Sequence, residues 1–214
     1  MIFKVFAGVA LALIAQPAAA EVVASSEAGF VTRATAEVPA DPAATWVALI
    51  APQTWWNKAH TFSGDPANLY LDAQGGGCFC EKLPLKEGAS GTRPGSVAHM
   101  RVVYADPGKA LRMVGSLGPL QSEALTGTLT ITLKPGGAGK AGGAGTRIVM
   151  EYVVGGYMRY KVDEIAPAVD NVMSGQLAAL TLALGVTEAA EPDAAPDGAS
   201  VEAKPVRPKP KPKP

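Results

Sequence analysis

Short segments rich in apolar and β-branched residues recur along most of the chain, and each ends in a turn rich in Gly, Pro or Asp. Segments of this length and spacing are typical of antiparallel β-strands. A glycine-rich run at 136–145 separates the last two segments and predicts a flexible hairpin tip. The predicted strands cover residues 29–39, 68–72, 78–83, 96–104, 110–115, 123–134 and 146–154.

A helical pattern follows the first predicted strand. Asp41 is a suitable N-cap and Pro42 fits the first turn, so together they predict a helix over residues 43–50. The next proline interrupts this helix and opens a second short helix that carries Trp55 and Trp56. Because large aromatic rings are unfavourable in water, these two side chains must pack in a core or line a concave wall.

The last periodic segment predicts a long amphipathic helix. Over residues 163–184 apolar side chains recur at steps of three and four, and Gly185 stands where a helix commonly ends. The apolar stripe of this helix has to be buried, and a concave sheet face is the available surface. The pattern therefore predicts an α+β fold in which a curved antiparallel sheet wraps around the C-terminal helix, with two short helices after the first strand.

The two ends of the chain differ in composition from this domain. Residues 1–20 combine one Lys, a short apolar run and an Ala-x-Ala site, which is the pattern of a cleaved secretory signal peptide. We therefore expect an exported protein, located in the periplasm if the source is a Gram-negative bacterium. The predicted organisation is a signal peptide at 1–20, a lead at 21–28, one domain at 29–187 and a tail at 188–214.

The tail is acidic and rich in Ala and Pro in its first half, and alternates Lys with Pro in its second half. Such a segment lacks the apolar side chains needed to offset the entropy of ordering, which predicts disorder. Two roles remain open for it. It is either a solubilising extension or a weak tether to an anionic envelope surface, since lysines are attracted to anionic lipid.

Composition narrows the classes of function. The chain has 214 residues, with 19 basic and 19 acidic side chains. A formal net charge of zero argues against nucleic-acid binding, which depends on a basic face. The sequence contains no nucleophile elbow, no His-Glu-x-x-His motif, no phosphate-cradling loop and no dinucleotide fingerprint, so we expect no cofactor. The oligomeric state does not follow from these observations.

The candidate ligand-binding side chains are aromatic residues and a histidine near the expected mouth of the sheet: Trp55, Trp56, His60, Tyr104 and Tyr152. The chain has two histidines, and His60 is the better candidate for acid–base chemistry because it follows the tryptophan pair. A hydrogen bond to a backbone carbonyl at a helix end is its alternative role. Regular strand alternation places His99 on the less apolar face, which predicts a surface or edge histidine.

Cys78 and Cys80 are the two cysteines of the chain. On a regular strand their side chains share a face, with Cα atoms about 6.5–7 Å apart, near the outer limit for a disulfide. Three states remain open: packed thiols, a strained disulfide, or a pair of ligands for a soft metal such as copper(I) or zinc. A closed zinc site needs four ligands, so metal is the least favoured of the three. Glu81 is expected to pair with a basic residue or to cap a turn.

The order of elements and several short motifs carry a resemblance to a known superfamily. The motifs are Trp46, the Trp55–Trp56 pair and the segments at 60–65, 75–81, 97–101 and 117–121. Together they resemble the helix-grip or SRPBCC superfamily, which includes START-related lipid-transfer domains, polyketide cyclases and dehydrases, and plant pathogenesis-related allergens. The resemblance covers roughly residues 29–185. It implies an apolar cavity between sheet and helix that holds a lipid, sterol, polyketide or aromatic molecule.

Two classes of function are compatible with these observations. The favoured one is an exported binding module that holds a small hydrophobic or amphipathic ligand, without catalysis. The alternative is an enzyme of the cyclase or dehydrase type that uses His60 as general acid–base with a nearby Tyr or Glu. An apolar cavity favours binding, whereas a hydrogen bond between His60 and an inward-facing carboxylate or Tyr favours chemistry.

Overall fold

The computed structural model describes residues 19–85, 87–88, 93–139 and 143–186. In this part of the chain eight strands form one antiparallel sheet, accompanied by two α-helices and four short 3-10 turns. The strands are β1 (Ala19–Ser26), β2 (Gly29–Val38), β3 (Leu69–Leu71), β4 (Cys78–Leu83), β5 (Gly95–Asp106), β6 (Ala110–Gly115), β7 (Ala124–Ala138) and β8 (Ala144–Tyr157). The helices are α1 (Pro42–Leu49) and α2 (Val162–Ala183), and the 3-10 turns are Pro52–Thr54, Lys58–His60, Pro66–Asn68 and Gly118–Ser122.

The strands follow the order β1-β2-β8-β7-β6-β5-β4-β3 across the sheet. From β4 to β8, consecutive strands lie side by side, and β8 returns to pair with β2. The predicted α+β class, the antiparallel sheet and the long C-terminal helix are confirmed. Among the described residues, no helix combines the length and apolar character required to cross a membrane.

Helix α2 packs against β1 and β2, near one edge of the sheet. Its side chains Met173, Leu177 and Leu180 are buried in the same apolar cluster as the inner faces of the central strands. The helix ends at Ala183, and Gly185 just beyond it adopts a φ of 85° that other residues avoid. The sequence-based prediction of this helix is therefore correct within one residue at each end.

Residues 21–28, predicted as a lead to the domain, lie mostly in β1, which pairs with β2. The β7–β8 ladder continues into the predicted hairpin tip, through Gly136–Gly145 to Ala138–Ala144, while residues 140–142 of this tip lie outside the described residues. Most of the predicted signal peptide and the whole of the predicted tail lie outside the described residues, so both stay predictions.

The prediction of a second short helix that carries the tryptophan pair is wrong. A single 3-10 turn over Pro52–Thr54 ends before Trp55, whose backbone φ of −140° is not helical. Instead of continuing a helix, the backbone N–H of Asn57 donates to the side chain of Gln176 on α2, at 3.0 Å. Trp55 and Trp56 therefore lie in an irregular segment, and the hydrogen bond of Asn57 joins this segment to α2.

Candidate functional site

A cavity of about 660 Å³ lies between α2, the segment from Trp56 to Phe62, the 3-10 turn at Gly118–Ser122 and the inner face of the sheet. This volume is in the range of about 300–1,000 Å³ that is usual for small-molecule sites. Helix α2 contributes an apolar wall of Ile165, Val169, Val172 and Met173. The lining is mainly apolar, with polar groups that come chiefly from the opposite side.

The two tryptophans take different positions around this cavity. Trp56 lines it, donates from its indole nitrogen to the carbonyl of His60 at 3.0 Å, and packs edge-on against Phe79. Trp55 points into the core beneath α1 and donates to the carbonyl of Ala48 at 3.0 Å. One ring therefore forms the wall of the cavity, while its neighbour belongs to the apolar core.

His99 is buried, and the prediction of a surface or edge histidine is wrong. The regular alternation of β5 is broken where β4 and β5 pair, because Phe79 lies opposite Met100 while Cys80 lies opposite Ala98. This irregularity leaves His99 as an extra residue, so that His99 and Met100 both turn inward. The imidazole then lines the cavity and packs against the Phe79 ring, with 5.0 Å between ring centroids.

Glu81 is the direct partner of His99. Its carboxylate is fully buried, and Oε2 lies 3.0 Å from the His99 Nε2 atom. The backbone N–H groups of Phe62 and Ser63 also donate to this carboxylate, one to each oxygen. Glu81 was expected to pair with a basic residue or to cap a turn. In the structure it pairs with a histidine inside the core, and it also holds the loop at 62–63 through the two backbone N–H groups.

These contacts set the ionisation of both groups. Burial acts to raise the pKa of Glu81, but the hydrogen bonds from Ser63, Phe62 and His99 outweigh it and hold the pKa below its usual value. Burial lowers the pKa of His99, although the neighbouring carboxylate acts in the opposite direction. An ionised Glu81 beside a neutral His99 is therefore the state at neutral pH.

The neutral imidazole has one defined tautomer in this arrangement. Because Glu81 can only accept, the Nε2 atom of His99 carries the proton and Nδ1 keeps its lone pair. The side-chain amide of Gln121 is 3.3 Å from Nδ1 and donates to it. Glu81, His99 and Gln121 thus form a chain of hydrogen bonds that ends at the cavity wall, and His99 can accept a proton through Nδ1.

Stability should fall as the pH decreases below the ordinary histidine pKa of 6.5. In this range the unfolded chain takes up a proton at His99 before the folded protein does, so protonation favours unfolding. Glu81 adds to the loss of stability at lower pH. Below the ordinary glutamate pKa of 4.5 the unfolded chain takes up a proton at Glu81 before the folded protein does, and this loss continues until the pH has fallen through the lowered pKa of the folded state.

Urea unfolding between pH 7 and pH 5 measures this effect. His99→Gln should show a shallower pH dependence than the wild-type protein over this range. An unchanged slope would contradict a neutral buried imidazole.

Tyr152 contributes another polar group to the wall of the cavity. Its side chain crosses the sheet face above Gly127, where an added Cβ atom would lie 2.4 Å from the tyrosine hydroxyl. The hydroxyl oxygen accepts the backbone N–H of Leu117 at 3.3 Å, and burial raises the pKa of Tyr152 to about 12. The phenol therefore stays protonated at neutral pH and can donate to a ligand.

The other two candidates lie in different places. His60 is exposed at the margin of the cavity, and within the described part of the chain no carboxylate or tyrosine hydroxyl is hydrogen-bonded to its imidazole. Tyr104 does not line the cavity: it is exposed on β5 next to Asp106 and Arg112. A second irregularity, between Val102 and Tyr104, breaks the alternation that predicted an inward-facing ring.

Glu81, His99 and Gln121 could not be recognised as one group from the sequence. Glu81 lies on β4, His99 on β5 and Gln121 in the turn before β7, so only the paired strands bring them together. The available signal was the presence of a charged residue, Glu81, directly after the apolar run of β4, a position where a carboxylate requires partners.

Cys78 and Cys80 form a disulfide, with Cα atoms 5.4 Å apart. This separation is shorter than that of a regular strand and lies within the usual range for a disulfide. In this state the two sulfur atoms are not thiolate ligands. Within the described residues no group of three or more His, Cys, Asp or Glu side chains is arranged to hold a metal ion.

The sheet, the terminal helix and the open cavity between them define the class: an α+β protein with a cleft of small-molecule size. No protein-family model matches the chain, and no curated protein matches it in sequence.

Several solved structures are similar in overall shape. A protein from Rhodobacter sphaeroides is 20% identical, with 79% of this chain and 100% of that chain covered and a TM-score of 0.47. CalU16 from Micromonospora echinospora is 12% identical, with 78% and 83% covered and a TM-score of 0.48. A protein from Rhizobium loti is 15% identical, with 78% and 99% covered and a TM-score of 0.48.

Proposed function

We propose that this protein is an exported binding module of the helix-grip type, which holds a small amphipathic ligand between α2 and the sheet. The observation that carries this proposal is the cavity of about 660 Å³ itself. Its walls are mostly apolar, and its hydrogen-bonding groups are few, as in sites that bind small molecules. Burial of an apolar ligand body there would supply most of the affinity.

The lining also limits the chemistry of the ligand. Among the described lining residues there is no Lys, Arg, Asp or Glu, so a formally charged group inside the cavity would lose hydration without gaining an opposite charge. The hydroxyl of Tyr152 and the amide of Gln121 can each donate a hydrogen bond. We therefore expect an uncharged ligand. Its hydroxyl or carbonyl group would lie near Tyr152 and Gln121, and its apolar body would lie along α2.

Native mass spectrometry of the protein purified from its own host tests this function directly, because a bound ligand would add a defined mass. Binding of a hydrophobic fluorescent dye gives a second measure. Val169→Trp should place an indole ring in the cavity and weaken dye binding by about tenfold or more, since the ring occupies space that the dye needs. Asn171→Trp is the matched control, since Asn171 is exposed on the same helix and does not line the cavity. Equal dye binding by the two variants, or no saturable binding by the wild type, would contradict the proposal.

The tryptophan pair allows an independent test. Trp56→Ala should cost more free energy of dye binding than free energy of unfolding, because one side of this ring borders the cavity. Trp55→Ala should do the reverse and lose about 3–5 kcal/mol of stability, since its ring is packed in the core. Thermal unfolding and dye titration measure the two effects. Equal behaviour of the variants would show that both rings are ordinary core residues.

A second candidate function is an acid–base enzyme of the cyclase or dehydrase type, with His99 in the role first expected for His60. The observation that favours it is the hydrogen bond between Glu81 and His99, which fixes the imidazole with Nδ1 toward Gln121 and the cavity. A base that is oriented by a buried carboxylate is a common arrangement for proton transfer.

The mass of the co-purified ligand distinguishes the two candidates. A dehydrating enzyme should bind product in the wild type, whereas His99→Gln should retain a precursor that is heavier by one water. Identical ligand masses in both proteins would favour the binding module and argue against catalysis of dehydration by His99.

Export is part of the same proposal and is supported by the composition of residues 1–20. Cleavage after Ala20 would leave Glu21–Ser26 of β1 to pair with β2. N-terminal sequencing of protein from the periplasmic fraction of its host should therefore begin at Glu21. Recovery of the intact N-terminus in the cytosol would contradict export.

A further inference from the structure

The Cys78–Cys80 disulfide lies beside a second cavity, of about 380 Å³, that opens on the other side of His99 and Gln121. Cys78, Arg101 and two glycines, Gly76 and Gly77, contribute to its lining. The function proposed above does not use this disulfide. Its short loop and its place at the wall of a cavity distinguish it from a purely structural disulfide.

The bond contributes little cross-linking to the domain. It joins residues separated by 2 positions in one strand, and the hydrogen bonds of β4 with β3 and β5 already fix that strand. Because the stabilisation by a disulfide falls as the closed loop becomes shorter, a loop of this size restricts the unfolded chain only slightly. The fold therefore does not depend on the oxidised state of these two residues.

The two sulfur atoms differ in access. Cys80 is buried among the residues of β4, whereas Cys78 is only half-buried and lines the second cavity. The two adjacent glycines carry no side chains that could cover Cys78. They are held along β5 by backbone hydrogen bonds of 2.8 Å, from Gly76 to Val102 and from Val102 to Gly77. An incoming thiol can therefore reach Cys78 but not Cys80.

The charge near Cys78 favours the same reaction. Arg101 is the register partner of Cys78 on β5 and lines the same cavity. A guanidinium group near a cysteine favours its thiolate, which is the nucleophile when reduced Cys78 attacks a small-molecule disulfide. The same positive charge attracts thiol compounds that carry carboxylates.

We propose that Cys78 is a site of reversible thiol exchange with small anionic thiols, and that Cys80 is its resolving thiol. The incoming thiolate forms a bond to the Cys78 sulfur, and the Cys78–Cys80 bond breaks. Cys80 leaves with the electron pair and takes a proton from solvent, so that a mixed disulfide remains on Cys78. In the reverse direction the Cys80 thiolate attacks Cys78 and releases the small thiol. A second small thiol instead completes the reduction and leaves as part of a small-molecule disulfide.

Glutathione, which carries a net negative charge, is the probe for this site. The folded, oxidised protein is incubated with glutathione without denaturant and the reaction is quenched with acid. The protein is then unfolded, free thiols are alkylated with N-ethylmaleimide, and the modified residues are located by peptide mass spectrometry. We expect glutathione on Cys78 and the alkyl group on Cys80. A reaction that occurs only in denaturant, or glutathione attached to Cys80, would overturn the proposal.

Two pairs of variants complete the test. With oxidised glutathione, folded Cys80→Ser should form an adduct at Cys78, whereas folded Cys78→Ser should not react at Cys80, and equal reactivity would contradict the difference in access. Arg101→Gln should slow the reaction with glutathione several-fold and leave that with uncharged 2-mercaptoethanol unchanged. Arg112→Gln, on the neighbouring strand and outside the second cavity, is the control and should not change either rate. Unchanged glutathione kinetics in Arg101→Gln would contradict the preference for anionic thiols.

Discussion

Leu177→Asp is expected to abolish folding of the domain. Leu177 lies at the centre of α2 with an exposed fraction of 0%, in contact with the apolar cluster that joins the helix to the sheet. A carboxylate at this position would lose its hydration without gaining a partner, which costs several kcal/mol even if it becomes protonated. Since small domains are stable by about 5–15 kcal/mol, the loss is comparable to the whole stability. Circular dichroism and thermal unfolding measure it.

Two further variants of the same helix show whether the loss comes from burial. Leu182 is 46% exposed, so Leu182→Asp should melt close to the wild-type protein. Leu177→Ala removes volume without adding charge and should retain the fold with a loss of about 2–5 kcal/mol. Near-wild-type melting of Leu177→Asp would mean that α2 does not pack on the sheet.

The elements with regular periodicity could be predicted from the sequence. The bounds of β4 and β6 agree with the predicted ones, and α2 differs by one residue at each end. β6 and α2 contain one unbroken pattern each, so a local reading of side-chain alternation or helical spacing was sufficient, whereas the bounds of β4 followed from the turn residues Gly77 and Pro84 on either side. The division of roles between Trp55 and Trp56 also follows from local geometry, because adjacent side chains point in different directions even where the chain is not helical.

The positions of His99 and Tyr104 could not be predicted, for a physical reason that applies to both. Each one adjoins an irregularity in the pairing of β5, first with β4 and then with β6. An extra residue in one strand reverses the alternation beyond it, and it depends on the register of the neighbouring strand rather than on the local sequence. The first irregularity turned a predicted surface histidine inward, and the second turned a predicted cavity residue outward.

The polar group at the cavity wall depends on the same long-range pairing. Glu81 is close to Phe62 and Ser63 in space although it lies 19 and 18 residues away in sequence. Strand alternation alone does not indicate that a glutamate in β4 is fully buried, because its three partners come from two other parts of the chain. Periodicity could thus predict the apolar walls of the cavity, whereas its chemistry required the register.

Glu81→Gln should be the most damaging conservative substitution outside the apolar core. The carboxylate accepts hydrogen bonds from the backbone N–H of Phe62, the backbone N–H of Ser63 and the imidazole of His99. Glutamine has the same size, but only one of its two terminal groups can accept, so its NH₂ group would face a donor in the core. Each buried donor that is left without an acceptor costs roughly 1–3 kcal/mol, which predicts a loss of several kcal/mol.

Urea unfolding of Glu81→Gln at pH 7 measures that loss, and Glu151→Gln is its matched control. Glu151 is also a strand glutamate with a long-range partner, Arg33, but this pair lies at the surface. Exposed ion pairs contribute at most about 1 kcal/mol, so the control variant should remain close to the wild type. The Glu81 variant should in addition free the loop at 62–63, which is detectable as faster amide hydrogen exchange at Phe62 and Ser63. Similar stability of the two variants, with unchanged exchange at these amides, would show that the buried carboxylate does not organise this side of the cavity.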